Sequence, residues 1–435
     1  MDGADLFETL VRWNYWGKKR FGRLLPRRVL KETESFLEDP NPIAVSGVRR
    51  SGKSSLLHLL MRHLLEHKVD RSQLLLINFE EPVFSQHLSP QFLDRLVGLY
   101  REKVNPDRKI YLFLDEIQNL PDWQKWVRRE ADLKEHKIFL TGSSAKLLSS
   151  EIATALTGRY FSFTVFPLSF SEYLSWREIG HETEIDRAES KAVIRKAFAE
   201  YLQFGGFPEA VLAGSQEKRD KILHQYFDDI LFRDVVFRHQ IRDVQLLQVI
   251  AEHYLTNIAS LHSFNRIRHL LSTSLDNVRR YTSLLEACFL IFCVQRFAYK
   301  TSERHRGNRK MYGIDPGLRN SISFRFSQDI GRLAENVAAL HFFCQSDGLF
   351  YFGHGGECDF IVKEGTDHRP VQICFGDMSD ERVKRREYGG LEKALVFLGQ
   401  REGLLLTDDV EGEDRVDGYR IVLRPLWKYL LESDG

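Results

Sequence analysis

The segment from Gly47 to Ser54 has residue types and a spacing that suit phosphate binding. It reads GVRRSGKS and fits the pattern GxxxxGK[ST]. The short apolar run 43–45 precedes it, and an apolar-rich helical pattern follows it. Glycines let backbone N–H groups surround a phosphate, and a helix N-terminus adds a favourable dipole. Because a strand and a helix flank the loop, the sequence favours a nucleotide site over a chance glycine-rich turn.

The side chains of this loop predict a site for ATP or GTP with Mg²⁺. Lys53 would reach the β- and γ-phosphates, and the hydroxyl of Ser54 would ligate Mg²⁺. The residues predicted to bind the nucleotide are Gly47, Arg50, Ser51, Gly52, Lys53, Ser54 and Ser55.

A second motif, YLFLDE at 111–116, is an apolar strand that ends in two carboxylates. In a P-loop ATPase, Asp115 would hold Mg²⁺ and Glu116 would polarise the attacking water as a general base. Two adjacent acids at a strand end are also typical of a solvated turn. Their occurrence together with the phosphate loop favours the catalytic interpretation.

The elements that position these motifs follow from five short apolar runs, each bounded by turn or helix signals. The runs are 43–45, 74–79, 110–114, 137–140 and 160–165. Helical patterns lie between them, so we expect an α/β core with a parallel sheet covered on both faces. A helical stretch, a region of short helices with a basic loop, and a mixed α/β end follow. The predicted domains are a basic N-terminal arm (1–40), an ATPase core (41–170), a helical segment (171–255), a winged helix (256–324) and a C-terminal α/β domain (325–435).

Several segments together resemble a large prokaryotic family of AAA-type (ASCE) P-loop ATPases. They are GVRRSGKSS, FLDEIQNLPDWQKWVRRE, FLTGSSAKLLSS, LTGRYFSFTVFPLSFSEYL and FGGFPEAV. Members of that family carry a C-terminal domain of unknown function that resembles restriction endonucleases. The resemblance covers nearly the whole chain from about residue 15, and it implies a P-loop ATPase.

The resemblance also implies two further catalytic residues. Ser143 or Ser144 takes the sensor position that contacts the γ-phosphate or the lytic water, although a Gly-Ser turn would look the same. Arg159 stands where related ATPases place an arginine finger, which neutralises charge in the transition state. The structural alternative is a surface arginine at a helix C-terminus. Action in cis and in trans both remain open, and action in trans would require a homo-oligomer.

Residues 264–285 have the pattern of a helix-turn-helix, with Val278, Tyr281 and Leu285 on one face of the second helix. The other face carries polar and basic side chains that could meet DNA. Runs 290–294 and 311–313 are the predicted wing strands, and the basic loop 300–310 is the predicted wing tip. The residues predicted to bind DNA are Asn277, Arg279, Arg280, Arg304 and Arg306.

The charge of this region supports DNA as a partner. Ten Lys and Arg and three Asp and Glu lie between residues 256 and 312, although the whole chain has a formal net charge of only +1. A local excess of positive charge is what phosphate binding requires. In this group of ATPases a winged helix also serves as a packing or lid module, so that alternative stays open.

The C-terminal domain matches the nuclease pattern only in part. By the resemblance, Glu335 and Asp359 occupy two metal-binding positions, whereas Gln372 replaces the expected acid and Cys374 the expected lysine. An amide is a poorer Mg²⁺ ligand than a carboxylate. We therefore expect a degenerate domain that holds DNA without cutting it, unless another lysine, such as Lys384 or Lys393, compensates.

Composition bounds the remaining classes of protein. The five cysteines form no CxxC pair, which argues against a zinc site or a disulfide framework. The N-terminal residues lack a secretory pattern and no apolar run reaches about 20 residues, so we expect a cytoplasmic protein without a membrane partner. The sequence favours an ATPase that couples ATP turnover to DNA binding or remodelling. The alternatives are a signal-transduction ATPase switch that acts on proteins and an ATP-controlled, metal-dependent nuclease.

Overall fold

The structure is a computed structural model that describes residues 2–143, 156, 158–323, 330–378 and 380–433. The chain divides into two units, Met1–Phe166 and Pro167–Gly435. Each unit contains one sheet. Among the described residues, no helix combines the length and the apolar character needed to cross a membrane.

The first unit is built on a five-stranded sheet with the order β2-β3-β4-β1-β5. All four neighbouring pairs are parallel, as the sequence predicts. The strands are β1 Ile43–Ser46, β2 Leu74–Asn78, β3 Ile110–Asp115, β4 His136–Gly142 and β5 Phe161–Thr164. Because the strands are parallel, the residues that follow β1, β3 and β4 lie at one edge of the sheet.

Helices cover both faces of this sheet. Successive side chains of a strand point to opposite faces, and here each face belongs to its own buried cluster with helix residues. Leu112 and Leu140 belong to one buried cluster, and their neighbours Phe113 and Phe139 belong to the other. The predicted α/β class with a doubly covered parallel sheet is confirmed. The helices are α1 Gly3–Trp13, α2 Arg28–Glu34, α3 Lys53–Glu66, α4 Pro90–Lys103 and α5 Trp123–Leu133.

The N-terminal segment is part of the first unit and packs against its sheet. Leu6 and Leu10 of α1 are fully buried. The side-chain amide of Asn14 donates to the carbonyl of Leu76 at 2.9 Å and accepts from its N–H at 2.7 Å. The indole of Trp16 donates to the carbonyl of Leu74 at 2.6 Å. These bonds satisfy exposed backbone groups of β2, which is an edge strand.

The second unit contains a nine-stranded sheet with the order β13-β14-β12-β11-β10-β9-β7-β8-β6. Strands from the segments 256–324 and 325–435 both contribute to it, because β7 pairs with β9. The strands are β6 Ser260–His262, β7 Ile291–Arg296, β8 Arg309–Gly313, β9 Gly348–Gly353, β10 Glu357–Glu364, β11 Asp367–Cys374, β12 Glu402–Thr407, β13 Gly412–Val416 and β14 Tyr419–Pro425.

The helices of the second unit occur in two groups, before and within the sheet region. The earlier group is α6 Phe170–Trp176, α7 Glu184–Glu189, α8 Lys191–Phe204, α9 Pro208–Leu212, α10 Gln216–Asp229, a π-helix Ile230–Phe237 and α11 Val244–Thr256. The later group is α12 Phe264–Leu270, α13 Leu275–Ala287, α14 Thr301–Arg306, α15 Pro316–Ile322, α16 Ile330–Gln345, α17 Glu381–Leu398 and α18 Leu426–Ser433.

The glycines of the FGGFPEAV segment permit close backbone packing in the second unit. A Cβ atom on Gly206 would lie 2.3 Å from the carbonyl oxygen of Leu168. The N–H of Gly206 donates to the carboxylate of Asp315 at 2.7 Å, and the N–H of Leu318 donates to the same carboxylate at 2.8 Å. Asp315 therefore joins this segment to the start of α15.

Candidate functional site

The phosphate loop joins β1 to α3 and adopts a conformation that requires glycine. Gly47 has a φ of +148°, and a Cβ atom there would lie 2.1 Å from the carbonyl oxygen of Val165. Gly52 has a φ of +102° and immediately precedes α3. Lys53, the first residue of α3, is 4% exposed, and its Nζ donates to the carbonyl of Gly47 at 3.2 Å. The loop therefore holds the lysine ammonium against its own backbone.

Asp115 ends β3 and lies beside the phosphate loop. Its carboxylate accepts hydrogen bonds from the hydroxyl of Thr141, at 2.5 Å, and from the hydroxyl of Ser54. Burial and the adjacent charge of Glu116 raise the pKa of Asp115 to about 6. Asp115 and Ser54 thus present oxygen atoms side by side.

Glu116 turns back toward the loop through an unusual backbone conformation. Its φ is +55°, in the left-handed region that non-glycine residues seldom adopt. Its Oε1 lies 3.9 Å from Nζ of Lys53, and its backbone N–H donates to Oγ1 of Thr141 at 2.9 Å. The amide of Gln118 donates to its Oε2. Strain of this kind is typical of functional sites.

The residues present fit a magnesium nucleotide. The buried Oγ of Ser51 and Oε1 of Gln118 have no hydrogen-bond partner among the described residues, so polar groups remain available at the loop and at the carboxylates. The oxygens of Ser54 and Asp115 are the ligand type that Mg²⁺ prefers. Arg50 has a φ of +69° in the loop, and Ser55 is the third residue of α3. Within the described ranges, no group of three or more His, Cys, Asp and Glu side chains could hold a metal alone.

Two residues of this site were missed by the sequence analysis. Thr141 contacts both Asp115 and Glu116, and its only signal was a hydroxyl directly after the apolar residues 138–140 of β4. Arg27 is 6% exposed and donates to the carbonyl of Ser51 at 2.7 Å and to that of Phe166 at 2.7 Å. No local pattern distinguishes Arg27 from the other basic residues of the N-terminal segment.

Ser143 and Arg159 lie at opposite ends of the parallel strands of the sheet. Ser143 follows β4 and is fully buried at the edge where β3 ends in Asp115, whereas Ser144 lies outside the described residues. Arg159 precedes β5, whose first residue pairs with the first residue of β1. It is therefore separated from the phosphate loop by about 10 Å or more, the length of β1. Its side chain is 69% exposed and lies 3.1 Å from Asp132.

The predicted DNA-binding residues do not all lie in similar environments. Arg279 and Arg280 of α13 are exposed, and Val278, Tyr281 and Leu285 of the same helix are buried as predicted. The amide of Asn277 donates to the hydroxyl of Thr273 at 3.2 Å.

The basic loop of the predicted wing tip contains a helix and a buried lysine. Arg304 lies half-buried with its guanidinium over the ring of Phe350, 5.5 Å from the centroid. Arg306 ends α14, and its side chain lies outside the described part of the structure. Lys310 was expected at the wing tip, but it is 1% exposed within β8, so that expectation is wrong.

The nuclease-like residues come together, but not with the lysines that the sequence suggested. Glu335 on α16 and Asp359 on β10 both contact the ammonium of Lys310. The amide oxygen of Gln372, on β11, accepts from the backbone N–H of Asp359 at 3.0 Å. Lys384 pairs with Asp414 at 3.0 Å, and Lys393 donates to the carbonyl of Gly355 at 2.6 Å. These two lysines therefore do not complete the cluster.

The fold and loop of the first unit define an AAA-type P-loop ATPase domain. Residues 39–174 match the model of a family described as an AAA domain, which spans the five-stranded sheet and both phosphate motifs. Residues 195–329 match the model of a domain of unknown function, DUF8612.

The chain belongs to the same family as the uncharacterized protein MJ1544 of Methanocaldococcus jannaschii, with 33% identity over 409 residues, 90% of this chain and 89% of that protein. An uncharacterized protein of Haemophilus influenzae is 29% identical over 338 residues, 76% of this chain and 82% of that protein. Among solved structures, the Walker-type ATPase PABY2304 of Pyrococcus abyssi has a TM-score of 0.47 at 16% identity, covering 69% of this chain and 96% of that one.

Proposed function

We propose that this protein hydrolyses ATP with Mg²⁺ and couples the turnover to a DNA-directed conformational change. The observation that carries the ATPase part is the approach of Lys53 to Glu116, 3.9 Å apart. In this arrangement the phosphate loop and the carboxylate pair lie at the same end of the parallel strands. An isolated glycine-rich turn would not have a buried carboxylate pair opposite its lysine.

Each residue of the site has a distinct role in this proposal. Bound Mg·ATP supplies the phosphoanhydride bond and the divalent charge that offsets the phosphates. Ser54 and Asp115 would hold the metal, and Lys53 would neutralise the β- and γ-phosphate oxygens. Glu116 would accept the proton of the attacking water. Ser143, at the same edge of the sheet, would contact the γ-phosphate or that water.

The ATPase part is tested by phosphate release together with nucleotide binding. Lys53→Ala is expected to lose both, because the ammonium contacts the phosphates in the ground state and in the transition state. The natural protein is expected to release phosphate only when Mg²⁺ is present. Absence of turnover under every condition, with tight nucleotide binding retained, would favour a nucleotide-bound switch instead.

The DNA part is supported by the arrangement around α13. From α11 to β8 the order is a helix, a strand, two helices, a strand, the short helix α14 and a strand, and β8 lies between β6 and β7. Apart from α14, this order resembles that of a winged helix, in which the second of the two helices would meet DNA. Arg279 and Arg280 are exposed on that helix, whereas its apolar face is buried.

DNA coupling is tested by ATP turnover with duplex, branched and single-stranded DNA. We expect DNA to raise the rate several-fold, and the stimulation to be lost in the Arg279→Glu/Arg280→Glu variant and at high salt. Lys218→Glu/Lys221→Glu, on the exposed side of α10, is the matched charge-reversal control and is expected to keep the stimulation. Indifference to DNA, with a rate that depends on protein concentration, would favour the protein-directed switch.

Arg159 is proposed to act in trans. It lies at the sheet edge opposite its own phosphate loop, so a cis finger would have to cross the length of β1. Mixing Lys53→Ala, which keeps Arg159, with Arg159→Ala, which keeps the loop, is expected to restore part of the activity. Solution mass should show an oligomer under the same conditions. A monomer with unaltered turnover in Arg159→Ala would contradict a finger in trans.

A further inference from the structure

Lys310 is a buried lysine surrounded by carboxylates from two elements. It lies in β8 and is 1% exposed. Its Nζ is 3.1 Å from Glu335 on α16, and 2.8 Å and 2.9 Å from Glu357 and Asp359 on β10. Glu335 and Asp359 are the two residues that match the metal-binding positions of nucleases. The ammonium therefore lies between the groups that would gather a divalent cation.

The ammonium contacts three carboxylates, two of them through hydrogen bonds. A lysine ammonium has three N–H donors, and three carboxylate oxygens lie within 3.1 Å of it. The side chain is 2% exposed, so the ammonium offers no accessible donor to a phosphate or to a water molecule. A catalytic lysine that had moved to this position would need such a donor, so the contacts favour a counter-ion.

The surrounding ligand positions are also occupied by contacts within the protein. Oε1 of Glu335 accepts from the hydroxyl of Tyr312 at 2.7 Å, and Oδ2 of Asp359 accepts from the backbone N–H of Ile373 at 3.0 Å. The amide nitrogen of Gln372 donates to Glu387 at 2.6 Å while its oxygen accepts from Asp359. With the Lys310 ammonium between the carboxylates, the residues present therefore do not fit the metal that the nuclease resemblance implies.

We propose that Lys310 supplies from within the chain the cation that this carboxylate cluster would otherwise take from solution. The C-terminal segment then neither binds a divalent metal at this cluster nor cleaves nucleic acid there. Removal of the ammonium leaves up to three carboxylates close together without a cation, and this arrangement attracts a divalent metal. The Lys310→Met variant should consequently gain a metal site that the natural protein lacks.

The experiment is a Mn²⁺ titration of the full chain without nucleotide. The natural protein and Asp359→Asn are expected to bind Mn²⁺ equally, because the cluster takes no part. Lys310→Met is expected to gain one site that binds Mn²⁺ at least ten-fold more tightly than the background of the natural protein, and Lys310→Met/Asp359→Asn to lose it. Lys310→Arg, which keeps a cation, is the matched control and should gain no site.

Three results would overturn the proposal. The first is weaker Mn²⁺ binding in Asp359→Asn than in the natural protein. The second is metal-dependent DNA cleavage that this substitution abolishes, and the third is a folded Lys310→Met protein that gains no Mn²⁺ site. If Lys310→Met does not fold, the comparison of the natural protein with Asp359→Asn still decides the question. None of these measurements depends on ATP hydrolysis, so failure of the proposed ATPase function would leave the result readable.

Discussion

The hydroxyl of Thr141 donates to the carboxylate of Asp115, 26 residues earlier in the chain, at 2.5 Å. The same oxygen atom accepts the backbone N–H of Glu116 at 2.9 Å. One side chain of β4 thus fixes both the metal-binding carboxylate and the backbone of the proposed general base. Since β3 and β4 are neighbours in the sheet, this contact depends on their parallel register.

Replacement of Thr141 should therefore affect turnover more than nucleotide binding. Thr141→Val keeps the shape but leaves the N–H of Glu116 without an acceptor, which costs about 1–3 kcal/mol of folding free energy. We expect turnover to fall at least ten-fold, with a smaller change in ATP affinity. Thr141→Ser keeps the hydroxyl and is the control. Equal turnover in the two variants would show that the hydroxyl does not position Glu116.

Glu116→Gln should bind ATP but hydrolyse it very slowly. The amide keeps the size of the side chain but cannot accept a proton, and loss of a general base costs roughly 10²–10⁴-fold in rate. Phosphate release and equilibrium binding of a fluorescent ATP analogue measure the two properties separately. Glu102→Gln, at the exposed end of α4, is expected to match the natural protein. Normal turnover in Glu116→Gln would assign the base to another residue.

Arg27→Met should weaken ATP binding although Arg27 lies outside the phosphate motif. The variant keeps an apolar stem but loses the hydrogen bonds that Arg27 donates to the carbonyls of Ser51 and Phe166, so the loop loses a support. We expect a KM for ATP about ten-fold higher, equivalent to about 1.4 kcal/mol. Arg28→Met is the matched control, because Arg28 pairs with Glu32 on the surface. Equal KM values in the two variants would mean that Arg27 contributes only to the fold and not to ATP binding.

Asp315 should make the second unit less stable as pH rises from about 4 to about 6. Burial raises its pKa from 3.8 to about 6, although backbone N–H groups oppose the shift. The folded state then binds more protons than the unfolded state in this window, so the free energy of unfolding falls with increasing pH. The total change attributable to this group is roughly 3 kcal/mol.

Chemical unfolding of the natural protein and of Asp315→Asn between pH 4 and pH 7 measures this contribution. The difference between their unfolding free energies should change across the window, since the variant lacks the titrating group. Asp276→Asn, on the exposed face of α13, should run parallel to the natural protein. A constant difference between the natural protein and Asp315→Asn would contradict the raised pKa.

The sequence by itself determined the parts of this protein that depend on local order. The phosphate loop needs glycines at fixed positions between a strand and a helix, and the five apolar runs can be read without knowing their partners. For the same reason, the buried face of α13 was predicted from helical spacing. The AAA domain and the parallel sheet of the first unit follow from these local patterns.

Only the tertiary structure decided which distant residues meet. Thr141, Arg27 and Lys310 acquire their roles through contacts with residues that are 24 to 139 positions away. Lys310 looked like a solvated wing residue because its sequence neighbours are basic, but burial of β8 against the acids of α16 and β10 makes it a counter-ion. The resemblance predicts that Arg159 acts at the phosphate site, but Arg159 lies at the end of the strands away from its own phosphate loop. The parallel pairing of β1 with β5 produces that separation, because Arg159 precedes β5 whereas the phosphate loop follows β1.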